Sequence, residues 1–207
     1  MNEIERAYDE WASFYDCQEN KTRDLEKNAA QSVIATNQYR HIVELGCGTG
    51  KNTSWLCKLS GKITAIDFSE KMLHCARKKI TDNNVNFIKA DLLAVWKLDI
   101  PLADLVTCSL VLEHIKNLDT VFKTVNKKLE INGMFFVCEL HPIKQYLGSK
   151  ARYEDGHNTH ELKCFTHHVS DYLKAAENND FTCLELKEWF DEGESDFPRL
   201  ISFLFKL

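Results

Sequence analysis

Three glycines in alternate positions, Gly46, Gly48 and Gly50, punctuate the run Val43-Glu44-Leu45-Gly46-Cys47-Gly48-Thr49-Gly50. A turn without side chains at those points lets a ligand come close to the backbone, with N–H groups able to face it. One acid, Glu44, stands just before the turn, and another, Asp67, follows Gly46 by 21 positions (67 − 46). In nucleoside-binding βαβ units an acidic residue meets a ribose hydroxyl at a spacing of about 20. A carboxylate beside the glycines would repel a pyrophosphate but suits a ligand bearing an ammonium or a sulfonium. The chemistry implied is the holding of a cationic nucleoside.

The flanking residues supply elements to position these groups. Residues 41–45 read as a short buried strand, and residues 51–59 as a helix with Trp55, Leu56 and Leu59 on one stripe. Residues 63–66 form a second strand ending at Asp67. Residues 85–92 form a third, ending in another acid, Asp91. A fourth strand covers 105–110, a helix 118–129, and a turn at Gly133 leads into an apolar run, 134–140, suited to a buried central strand. A helix near 169–176 precedes two final strands, 183–190 and 200–205. Alternating strands and helices predict an α/β, Rossmann-like doubly wound sheet of seven strands. Helices should lie on both faces.

With these motifs in place the chain resembles the class I S-adenosylmethionine-dependent methyltransferases, densely over residues 41–140 and more thinly from Tyr8 to the C-terminus. The resemblance implies that the sheet is mostly parallel with an antiparallel C-terminal pair. It also implies S-adenosylmethionine as cofactor, leaving S-adenosylhomocysteine, and a methyl transfer by in-line displacement. It places Tyr15, Glu44, Gly46, Cys47, Gly48, Asp67, Phe68, Met72, Asp91, Leu92, Ser109 and His114 around the donor. Of these, Asp67 takes the ribose hydroxyls, Asp91 the adenine amino group, and Leu92 packs on the ring. The pair Glu113-His114 after the fourth strand matches a Glu-His or His-His pair found beside the methyl donor in the family. The glycine spacing G-x-G-x-G and the acid at Glu44 disfavour a nicotinamide-dependent oxidoreductase. A base methyltransferase is disfavoured too. Cys108-Ser109-Leu110-Val111 stands where an Asn/Asp-Pro-Pro-aromatic motif would be, and Cys108 has no preceding proline.

The composition is consistent with this reading. The chain has 207 residues, a length that suits one domain, and 44% hydrophobic content, ordinary for a globular protein. A net charge of −5 speaks against nucleic acid as partner. No apolar run reaches the ~20 residues of a membrane span, and the charged N-terminus lacks a signal peptide's apolar stretch. Eight cysteines without a Cys-x-x-Cys pair suit a reducing, cytoplasmic setting. The expected organisation is a single methyltransferase domain, 1–207. It comprises an N-terminal helical lid (1–38), a donor-binding core (39–141), an acceptor-side loop, cap and helix (142–180) and closing strands (181–207), as a monomer or homodimer.

Three segments should shape the acceptor site. The amphipathic aromatic stretch from Tyr8 to Asp16 would fold over the donor as a lid, with Tyr8, Trp11 and Tyr15 against the acceptor. His141, followed by Pro142 at the end of the fifth strand, and His114 after the fourth are candidate catalytic bases, because a His pKa lies near working pH. A bond to a backbone group would instead make either one structural. The stretch 144–170 holds His157, His160, Cys164, His167 and His168, but without the paired spacing of a zinc site, so no metal is expected. It reads as a polar loop and cap hairpin whose Tyr146, Arg152, Tyr153 and Phe165 could line the acceptor pocket. The expected acceptor is a small molecule, its methylated atom left open. A protein or peptide acceptor, a thiol- or arsenic-handling enzyme, and a non-catalytic donor-binding subunit regulating a partner are the alternatives.

Overall fold

In the computed structural model, residues 3–149, 151–154 and 159–207 are described, excluding the side chains of Trp96, Tyr153, Glu154, Thr159 and His160. His157 thus lies outside the described residues, as do the side chains expected of Tyr153 and His160.

Two helices lead the chain, α1 (Glu3–Trp11) and α2 (Lys21–Ile34). The Asn20 side chain caps α2 by accepting from the Arg23 N–H at 3.0 Å. The sheet then begins: β1 (Tyr39–Leu45), α3 (Thr53–Leu56), β2 (Ser60–Asp67), α4 (Glu70–Lys79), β3 (Val85–Lys89), β4 (Ala103–Ser109), α5 (Leu118–Asn126) and β5 (Leu129–Leu140). After β5 come α6 (Pro142–Tyr146), a hairpin of β6 (Arg152–Glu154) and β7 (Thr159–Glu161), then α7 (Val169–Glu177), β8 (Thr182–Trp189) and β9 (Leu200–Lys206).

Seven strands form one sheet in the order β3-β2-β1-β4-β5-β9-β8. The first five run parallel, and β9 and β8 are antiparallel to their neighbours. The order turns back between β1 and β4, so their carboxyl ends open a crevice, the usual ligand position in such sheets. The two faces of the sheet are closed by separate apolar clusters. On one, Phe122 of α5 meets Phe135 and Phe205 edge-on at 5.2 Å each. On the other, Ala29, Ala30 and Ile34 of α2 cover Ile42, Ile63, Leu105 and Phe136.

Three local expectations are corrected. The helix after the glycine turn is only Thr53–Leu56, because the chain spends residues 49–52 completing the turn. The third strand ends at Lys89, and Asp91 instead caps a 3-10 helix, Leu92–Lys97, by accepting from the Leu93 N–H at 2.9 Å. Gly133 lies within a strand. There β5 starts at Leu129 and bends at Asn132, which has φ 67°. A Cβ on Gly133 would meet the Glu130 carbonyl oxygen at 2.8 Å, so the bend needs a bare backbone.

Candidate functional site

The glycine turn occupies the crevice. Gly46, Gly48 and Gly50 have φ of 73°, 53° and 82°, the left-handed region. A side chain at Gly46 would run into Val111, and at Gly50 it would press on Ile80, whereas at Gly48 it would meet nothing within 4 Å. The N–H groups of the turn differ from expectation. Those of Gly46 and Cys47 donate to the Ile66 carbonyl at 2.8 and 3.0 Å, that of Gly48 to Asp67 at 2.8 Å, and that of Gly50 to the Cys47 carbonyl at 2.9 Å. They are consumed because the turn continues the β1–β2 ladder and Asp67 reaches back to brace it. The turn therefore offers close approach rather than a row of free amides.

Around it lies a cavity of about 480 Å³ whose wall includes Tyr8, Tyr15, Glu44, Gly46, Cys47, Gly48, Asp67, Phe68, Met72, Asp91, Leu92, Ser109, His114 and Phe165. The elements explain how they meet. Glu44 and Asp67 end adjacent parallel strands, Asp91 follows the third, and Ser109 and His114 follow β4. Asp67 is buried and also accepts from the Ser69 N–H at 2.8 Å. Burial raises its pKa to about 6. Glu44 is fully enclosed and accepts from the Thr53 hydroxyl at 2.5 Å. Burial, reinforced by the nearby Glu26 and Asp67, pushes its pKa up to about 8.

Sequence reasoning missed three contributors to this wall. Glu26, on α2, is buried and accepts from the Asn52 amide at 3.0 Å on both oxygens, and burial raises its pKa. Thr107 pairs with Glu44 in register, and its buried hydroxyl lacks a hydrogen-bond partner among the described residues. Arg23 is buried, with its guanidinium 4.1 Å from the Tyr15 ring centroid. A signal did exist for the two charged residues: Arg23 and Glu26 share a helical stripe with Ala30 and Ile34, which puts two charges on the apolar face of α2.

The lid segment reaches over this cavity. Asp9 accepts from the Ser69 hydroxyl at 2.5 Å, and Asp16 from the Thr49 hydroxyl at 2.7 Å. The Tyr8 hydroxyl bonds Nε2 of His114 at 2.9 Å, while Nδ1 of His114 lies 3.1 Å from the Lys163 carbonyl oxygen. A carbonyl only accepts, so Nδ1 carries the proton, and in the neutral ring Nε2 accepts from Tyr8. Burial holds the Tyr8 hydroxyl well above its ordinary pKa, so it stays protonated.

A second cavity of about 430 Å³ adjoins the first across Tyr8, Tyr15, Arg23 and Leu110, and its wall also includes Trp11, Glu113, Leu140, Arg152 and Arg199. Two expected acceptor residues lie outside both walls. His141 caps α6, its Nδ1 accepting from the Ile143 N–H at 3.2 Å, and its Nε2 lies 3.1 Å from Glu188. Pro142 starts the helix there, which draws the imidazole into the cap and away from the crevice. Burial lowers its pKa against the pull of Glu188. Tyr146 is exposed and bonded to His168. His167 is buried against the carbonyls of Leu112 and Ile115, at 3.2 and 2.8 Å. Among the described residues no group of three or more His, Cys, Asp or Glu could hold a metal ion. Nor is any described helix long and apolar enough to cross a membrane.

Known proteins agree with this architecture. Residues 43–137 match the family model of a methyltransferase domain. A malonyl-[acyl-carrier protein] O-methyltransferase of Priestia megaterium is 32% identical over 139 residues, covering 63% of this chain and 48% of its own length. A ubiquinone biosynthesis O-methyltransferase of Coxiella burnetii is 24% identical over 157 residues, covering 74% and 62%. The chain thus spans about half to two thirds of the length of these relatives. A crystal structure of an S-adenosylmethionine-dependent methyltransferase from Mesorhizobium loti superposes with TM-score 0.72 at 23% identity, covering 88% of this chain and 98% of the other. A DhpI–SAM–HEP complex superposes with TM-score 0.76 at 19% identity, covering 98% and 95%. At these identities the structural likeness concerns the fold. Together, the methyltransferase-domain model matched over residues 43–137 and the shared fold support a class I S-adenosylmethionine-dependent methyltransferase.

Proposed function

We propose that the chain transfers a methyl group from S-adenosylmethionine to a small-molecule acceptor. The observation that carries this reading is the distribution of acids along one cavity. Glu44, near the end of β1, and Glu26 of α2 line it together with Asp67, which ends β2, and Asp91, which follows β3 as the cap of the 3-10 helix. The residues fit the donor. Two buried acids and the unpartnered Thr107 hydroxyl suit an ammonium, and its positive charge would draw Glu44 back to the ionised form. Asp67 is suited to the ribose hydroxyls, Asp91 to the adenine amino group, and Leu92 and Phe68 to the apolar faces of the nucleoside. When bound, S-adenosylmethionine supplies a methyl group activated by its sulfonium for in-line displacement.

What the chain adds is positioning, exclusion of water and a proton acceptor. The lid from Tyr8 to Tyr15 covers the crevice. His114 lines the first cavity, bonded to Tyr8, which the two cavities share, and its Nε2 is the acceptor in the neutral ring. An O–H or N–H of the methyl acceptor that displaces the Tyr8 hydroxyl can donate to that nitrogen. Both rings bond a backbone group, His114 the Lys163 carbonyl and His141 the Ile143 N–H, but only His114 lines a cavity and keeps Nε2 for an acceptor, so the base role is assigned to His114. The second cavity is of the size that takes small molecules, about 300–1,000 Å³. One relative is named for a malonyl group on an acyl-carrier protein and the other for ubiquinone biosynthesis.

Calorimetric titration with S-adenosylmethionine tests the donor assignment. Asp67→Asn keeps the shape but removes the charge, and should weaken binding by ~1.5–3 kcal/mol. Equal affinity in parent and variant would remove Asp67 from the donor site.

A further inference from the structure

The second cavity has a charge character that sets the class of its occupant. It opens at the carboxyl ends of β4 and β5, beside Leu110 and Leu140, where open α/β sheets receive their ligands. Among the described residues its wall brings together Arg23, Arg152 and Arg199 with one acid, Glu113, in a chain of net charge −5. Asp191 neutralises Arg199 through two contacts of 2.6 Å, and the third guanidinium nitrogen of Arg199 donates to the Thr22 hydroxyl at 3.0 Å. Arg23 is different. It donates to the backbone carbonyls of Tyr15 and Gln18 at 2.5 and 2.7 Å, which orient the guanidinium without cancelling its charge. Arg152 stands exposed on β6 at the rim. Among the described wall residues, once Asp191 has offset Arg199, Arg23 and Arg152 share the cavity with one carboxylate, that of Glu113, which also accepts from the Gln145 amide at 3.3 Å, while Glu161 pairs in register with Arg152 across the hairpin.

A planar guanidinium held by neutral acceptors is well matched to an oxyanion, because its fork of N–H donors pairs two oxygens at once. We propose that the methyl acceptor carries an oxyanion, a carboxylate or a phosphate, which Arg152 and Arg23 receive in the second cavity beside the donor site. This inference rests on the donor reading above, since it treats the second cavity as the acceptor chamber. Glu113, on the same wall, stands ready to accept from a hydroxyl or amine of the acceptor. The oxyanion anchors one end of the molecule and leaves the other to reach His114 across Tyr8.

The test uses the full chain saturated with S-adenosylhomocysteine, so that the donor product's own carboxylate is in place before any anion is added. Malonate, inorganic phosphate and the neutral malonamide are titrated separately, following the side-chain Nε–H resonances of the arginines. Saturable binding of malonate or phosphate, with malonamide silent, is expected, and whichever anion binds tighter identifies the group. Arg152→Gln, an exposed change on a short hairpin, should weaken that binding about tenfold and leave S-adenosylhomocysteine affinity unchanged. No saturable anion binding, equal binding of malonamide, or equal anion affinity in Arg152→Gln would overturn the inference while leaving the donor reading intact. If S-adenosylhomocysteine itself does not bind, the donor reading fails, and this inference falls with it.

Discussion

Glu44 provides a prediction whose size follows from its surroundings. Its carboxyl is enclosed at the end of β1, bonded to the Thr53 hydroxyl at 2.5 Å, and holds its proton to about pH 8. An unfolded chain loses that proton near pH 4.5. Between those values the folded state binds more protons than the unfolded state, so this group's contribution to stability is full below pH 4.5. It is lost as pH rises through 8. From pH 5 to pH 8 the loss comes to roughly 3–4 kcal/mol at 1.36 kcal/mol per unit, an upper bound. Glu44→Gln mimics the protonated form at nearly the same volume and does not titrate. Urea unfolding of the ligand-free chain at pH 5 and pH 8 reads the difference. The parent midpoint should fall relative to that of the variant by roughly 1–2 M across this range. Glu139, also raised to about 8 by burial, titrates in both proteins and cancels in the comparison. Parallel pH profiles for parent and variant would refute the argument, because they would mean that Glu44 ionises in the fold as readily as in water.

Two further predictions separate packing from chemistry. Gly46→Ala combines a positive φ with a collision against Val111 and should destabilise the fold by ~2–4 kcal/mol, whereas Gly48→Ala bears the φ alone and should cost ~1 kcal/mol, both read by thermal or urea unfolding. His141→Ala removes the cap of α6 and should lower stability by ~1 kcal/mol, with donor affinity by calorimetry unchanged. A fall in turnover with donor affinity intact and beyond what the lost stability explains would bring His141 back to the acceptor side.

How much of this was legible beforehand depends on the range of the interaction. Strand positions followed from short apolar runs, since residues such as 63–66 and 134–140 can be satisfied only inside a sheet. The glycine turn and the acids at Glu44, Asp67 and Asp91 were legible because the turn and the strand ends place them through local backbone geometry. Glu26 and Arg23 were harder to see, because a charged helix reads as a solvated one until the sheet covers its other side. His141 shows the converse: its position at a strand end suggested chemistry, while Pro142 starts a helix whose cap the ring supplies.

The sequence by itself determined the α/β alternation, the spacing from glycine turn to acid, and acids placed at or just past the ends of consecutive strands, all set by near neighbours along the chain. Only the tertiary structure decided that the turn's amides are consumed by Ile66 and Asp67, and that Glu44 and Glu26 face the same cavity. It alone brought Tyr8 onto His114 across 106 positions and gathered Arg23, Arg152 and Arg199 around one chamber. Those outcomes depend on which groups burial leaves without water, and that is settled when distant elements close over one another.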